Sequence, residues 1–119
     1  MPAPHFHKER LAELLQREIT AIIAREVRDP RIPPIVTVAG VALSTDLRNA
    51  TVHVSIFDEA HPVADAVRAL NKAAPYIQRL LASRISIKHL PRLYFKQDTT
   101  IEQTLHINQL LKEIQDDVE

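Results

Sequence analysis

Gly40 is the only glycine among 119 residues, in a chain that carries eight prolines. At average usage of about 7%, roughly eight glycines would be expected. Cradling a phosphate on backbone N–H groups needs glycine wherever a side chain would collide. Walker loops, G-x-G-x-x-G fingerprints and G-x-S-x-G nucleophile elbows each require at least two. Those routes to a nucleotide-dependent or triad enzyme are therefore closed. Cysteine is also absent, which excludes disulfides, thiolate nucleophiles and Cys-based zinc sites and suits a reducing compartment.

The length matches one compact domain able to bury an ordinary core. From Lys8 onward the N-terminal segment carries a charge every few residues, unlike a signal peptide. The longest uncharged stretch, Ile32–Thr45, has 14 residues and contains Pro33, Pro34 and Gly40. A bilayer span takes about 20 apolar residues, so the expectation is a cytoplasmic protein with no membrane segment.

Apolar positions set the elements. Leu11, Leu14, Leu15, Ile19, Ile22, Ile23 and Val27 step by three or four, one stripe of an amphipathic helix over 6–27. Asp29-Pro30 stops it. Ile35–Ser44 and Ala50–Phe57 are rich in β-branched residues and read as strands. Residues 45–49 between them have hairpin-loop character, so the two strands pair antiparallel. Apolar parity in the first strand switches at Gly40, the signature of a β-bulge for which glycine is the permissive residue.

A second helix starts near His61-Pro62 and repeats through Val63, Val67, Leu70, Ala74, Ile77 and Leu81. Pro75 falls inside it at a cost of ~3 kcal/mol, so helix–kink–helix is expected. Leu93–Gln97 reads as a third strand. The whole is an α+β chain, α-β-β-α-kink-α-β with a three-stranded sheet, over residues 1–100. An acidic, weakly amphipathic helical tail follows over 101–119.

Lys+Arg and Asp+Glu balance at 15 each, yet the charges segregate. Residues 61–98 hold seven basic against two acidic residues, whereas 99–119 hold one basic against five. Such a block creates a local positive field suited to a polyanion; ordinary solvated faces remain the other reading. At 100° per residue Arg68, Lys72 and Arg79 fall within about 40° of one another, opposite the apolar stripe. Three cations in line beside Pro75 suit contact with phosphates. Arg84 projects partly toward the apolar side, and Lys88, His89 and Arg92 extend the block toward the third strand. The six histidines show no metal-ligand spacing beyond His5-x-His7, and no nucleophile, base and orienter are marked. No cofactor and no catalysis are expected.

The run Asp29-Pro30-Arg31-Ile32, then Val36-Thr37-Val38, Ser44-x-Asp46-Leu47, Ala50-x-Val52-x-Val54, Leu70-Asn71 and Pro91-x-Leu93-x-Phe95-x-x-Asp98-x-Thr100 resembles the ribosome-binding factor A family, over roughly 10–111. The resemblance implies a type II KH-like domain whose G-x-x-G loop is replaced by an interrupted helix with an Ala-x-Gly kink. Ala73-Ala74-Pro75 stand at that place, with Pro75 where the family commonly has glycine. A second family glycine aligns with Thr104. It further implies a monomeric, non-catalytic factor that binds the small ribosomal subunit and its 16S rRNA during late assembly and rRNA processing, linked to growth in the cold. The RNA-binding candidates are then Arg68, Lys72, Arg79, Arg84, Lys88 and Arg92, with Ala73, Ala74 and Pro75 setting the geometry. Arg31 and Arg48 are weaker ones, since the D-P-R arginine could equally brace its turn. The alternative is a KH-like protein-interaction module that does not bind RNA, in which the acidic tail and amphipathic helices dock a partner.

Overall fold

The computed structural model describes residues 4–99; the helical tail expected over 101–119 and Thr104 lie outside them. The elements are α1 (Pro4–Glu26), β1 (Thr37–Leu43), β2 (Asn49–Ser55), α2 (Val63–Arg84) and β3 (Arg92–Gln97). The sheet order is β1-β2-β3, with β1 antiparallel to β2 and β2 parallel to β3. This is the α+β order expected, with a β-α-β crossover from β2 through α2 to β3. Among the described residues no helix is long and apolar enough to cross a membrane.

Alternation places one sheet face in the core. Ala50, Val52 and Val54 of β2 and Leu93 and Phe95 of β3 are buried against the stripes of both helices. Leu15, Ile19 and Ile22 of α1 and Leu70, Ile77 and Leu81 of α2 are fully buried. On the other face Thr51 pairs with Tyr94 and His53 with Lys96, and these side chains reach solvent.

The bulge lies where the parity switch located it: Val38 pairs with Val54 and Gly40 with His53, leaving Ala39 as the extra residue. The Gln16 side-chain amide on α1 donates to the Val38 carbonyl at 2.9 Å. Glycine itself is not demanded there, because Gly40 has no positive φ and an added Cβ would meet nothing within 4 Å. The left-handed residue of the hairpin is instead Leu47, at φ 62°. Its loop is tied by Asp46, which accepts from the Ser44 hydroxyl at 2.7 Å and from the Arg48 N–H at 3.1 Å.

Pro75 lies inside α2 where the kink was expected, and one helix of 22 residues runs through it without dividing into two elements. The stripe of Leu70, Ala74, Ile77 and Leu81 is buried on both sides of the proline. Each full burial of a Leu or Ile contributes about 1.5–3 kcal/mol, so three of them outweigh the ~3 kcal/mol that proline costs. Pro75 and Asn71 are themselves exposed, where water can replace the missing donor for the Asn71 carbonyl.

Candidate nucleic-acid interface

Three chain segments converge on a cleft of about 630 Å³. The exposed side of α2 supplies Pro75, Gln78, Arg79 and Ala82, spaced i, i+3, i+4, i+7 along one helical face. The connection after the helix supplies Ile87, Lys88, His89 and Leu90, and the start of β3 supplies Arg92. From the β1–β2 loop comes Arg48. The backbone explains the convergence: the Arg92 N–H donates to the Arg48 carbonyl at 2.8 Å, and Asn49 pairs with Arg92 in register. Two guanidinium-bearing residues distant in sequence are thereby set beside each other.

Four cations line this cleft and no carboxylate is among its described lining residues. Two of the guanidinium groups are held near aromatic rings: Arg79 is 5.9 Å from the Tyr76 ring centroid and Arg92 is 5.7 Å from that of Tyr94. Both rings are partly exposed, at 39% and 44%. A ring under a guanidinium restricts its motion without neutralising its charge. The arrangement can accept successive phosphates along a groove, with proline presenting a rigid, donor-free stretch of helix surface.

The cations predicted from the helical wheel separate in space. Arg79 lines the cleft, whereas Arg68 is ion-paired with Asp65 on its own helix. Lys72 acts on Asp29 and Asp65 acts on Arg31, so the first half of α2 lies beside the D-P-R turn in a mixed-charge environment. Arg31 braces that turn: its Nε and Nη2 donate to the two Asp29 carboxylate oxygens at 3.1 and 2.8 Å. The same arginine holds the Asp29 carboxyl down at about 2. Arg84, the last residue of α2, reaches back to α1, 3.7 Å from Glu18 and 3.9 Å from Glu26. Ala74 is buried in the core and Ala73 is half-buried against it.

Of the sequence candidates, the structure brings Pro75, Arg79, Lys88, Arg92 and Arg48 together. Arg68, Lys72, Ala73, Ala74, Arg84 and Arg31 are not among its lining residues. Gln78, Ala82, Ile87 and Leu90 were not singled out as site residues. Reading the i, i+3, i+4, i+7 stripe from Pro75 would have found the first two.

The family model for ribosome-binding factor A matches residues 7–111. The chain belongs to the ribosome-binding factor A family. A member from Thermomicrobium roseum is 44% identical over 112 residues, 94% of this chain and 86% of that protein. Another family member, from Natranaerobius thermophilus, is 45% identical over 107 residues, 90% of this chain and 81% of that one. The crystal structure of ribosome-binding factor A from Thermus thermophilus superposes with a TM-score of 0.67 at 34% identity, covering 76% of this chain and 93% of its own. A homology model of the Thermus thermophilus family member, fitted into the cryo-EM map of a 30S complex, gives a TM-score of 0.59 at 31% identity and covers 73% and 90%.

Proposed function

We propose that the chain is a non-catalytic maturation factor that binds the small ribosomal subunit through 16S rRNA phosphates, during late assembly and rRNA processing. The cleft of Arg48, Arg79, Lys88 and Arg92 carries this reading, because four cations gather there with no carboxylate among the described lining residues. A homology model of a relative, fitted into the cryo-EM map of a 30S complex, supports the same partner. Cytoplasmic location, a monomeric working form and a role in cold growth accompany the proposal. Recognition through backbone charge and groove shape fits the scarcity of aromatics, since stacking platforms for several bases need more of them.

The test is a salt series with an rRNA fragment from the 3′ region. Neutralising four phosphates should give a slope of log K against log salt of about −2.8 to −3.6. Removing Arg79 by Arg79→Ala should lower the slope by about one. A flat salt response would overturn the proposal.

A further inference from the structure

The face of the sheet turned away from the helices carries polar and aromatic groups of its own. Alternation along β3 buries Leu93 and Phe95 and leaves Arg92, Tyr94 and Lys96 exposed. The register sets Tyr94 beside Thr51 and Lys96 beside His53, both half-buried on the same side of β2. No strand of the sheet contains Asp or Glu. At the cleft end, the Asp46 carboxylate is engaged by the Ser44 hydroxyl and the Arg48 N–H. At the other end Asp98 lies past the last residue of β3, where its N–H donates to the Val54 carbonyl at 2.7 Å.

Arg92 belongs to both surfaces. It lines the cationic cleft, and its guanidinium stands 5.7 Å from the Tyr94 ring centroid. That is near the ~6 Å limit of a cation–π contact, and Tyr94 stays 44% exposed. Successive same-face residues of a parallel strand are about 6.6 Å apart, so Tyr94 sits midway between two cations. A nucleic-acid strand leaving the cleft at Arg92 meets a flat ring next and then the Lys96 ammonium. Cations for the backbone and an aromatic face for a base are the combination that holds single-stranded nucleic acid.

We propose that Tyr94 is the stacking site for one unpaired base of a single-stranded RNA segment, whose backbone runs from the cleft over Arg92 to Lys96. Tyr94 is the one exposed aromatic in the three strands, so the site takes a single base and not a series. This rests on the RNA reading and narrows it. The cleft engages phosphates of any RNA, whereas Tyr94 needs a base that is free of a duplex.

The test uses the full chain with a short oligo(A) and an abasic strand of the same length and charge. Tyr76→Phe leaves Tyr94 as the one tyrosine in a chain without tryptophan, so intrinsic fluorescence reports on its ring. Bound oligo(A) should quench that fluorescence, and the bound abasic strand should not. Tyr94→Ala should lower oligo(A) affinity about tenfold and abasic affinity far less, and Tyr94→Phe should recover most of the loss. Lys96→Ala should instead lower the salt slope by about 0.7. Wild-type oligo(A) affinity in Tyr94→Ala, or unquenched fluorescence in the bound complex, would overturn the stacking and leave the RNA reading standing. An equal loss on both strands would also overturn it, because the effect would not pass through a base. Failure of the wild type to bind either strand at low salt would overturn the RNA reading and the stacking with it.

Discussion

The Arg92 N–H donates to the Arg48 carbonyl at 2.8 Å, and that one bond fixes the loop after β1 against the first residue of β3. It brings together residues 44 positions apart in the sequence. Both residues line a cleft to which the exposed stripe of α2 also contributes. Strand pairing, more than helix periodicity, therefore builds the positive surface.

Arg79 and Arg84 are separated by five residues of one helix yet are assigned opposite roles. Arg79→Ala should weaken RNA binding with little change in stability. Arg84→Ala should leave RNA affinity at the wild-type value. Its partners Glu18 and Glu26 stand at 3.7 and 3.9 Å in a partly exposed setting, so the stability lost should be under about 1 kcal/mol. Paired binding titrations and urea unfolding check both.

Asn71 closes the contact between α2 and β3 by bonding both backbone groups of Phe95, donating to its carbonyl at 3.0 Å and accepting its N–H at 2.7 Å. Asn71→Ala leaves both strand groups without these partners and should cost about 1–3 kcal/mol. RNA affinity should not change, since Asn71 does not line the cleft. Urea unfolding beside an RNA titration measures the two effects separately.

Gly40→Ala should be tolerated. The backbone there is open to any L-residue and the added methyl meets no atom within 4 Å, so a gain of about 0.4–1 kcal/mol through the unfolded state is expected. Thermal unfolding should show an unchanged or raised Tm. A clear drop would mean that the bulge needs glycine after all.

The Asp29–Arg31 bridge sets an acid limb. Chiefly through the Arg31 side chain, the Asp29 carboxyl is lowered from 3.8 to about 2. A carboxyl depressed in the folded state adds stability above its unfolded pKa and loses it as pH falls through the folded one. The contribution should therefore be complete above about pH 4 and gone near pH 2. NMR titration of Arg31→Ala should show the Asp29 midpoint moving up toward 3.8.

Much of the fold was legible in the residues themselves. Period-2 runs located the strands, the parity switch at Gly40 located the bulge, and the 3.6-residue stripes located both helices. At Pro75 the burial on either side carries the helix through the proline as one element. The site was less legible. A helical wheel groups Arg68, Lys72 and Arg79 by angle alone, yet they lie up to 11 residues apart, about 16 Å along the axis. Over that distance their neighbours change from Asp65 and Asp29 to a cleft with no carboxylate among its described lining residues. Arg48 could be ranked properly only with the β2–β3 register, which is a tertiary fact.

The most direct measurement is co-sedimentation with small ribosomal subunits, mature and immature, at low and moderate salt, comparing wild type with Arg79→Glu/Lys88→Glu. Salt-sensitive binding that the double charge reversal abolishes and Arg84→Ala retains is the predicted result. Wild-type binding by the double variant would contradict the account, because the subunit would then be held by some other surface than this cleft.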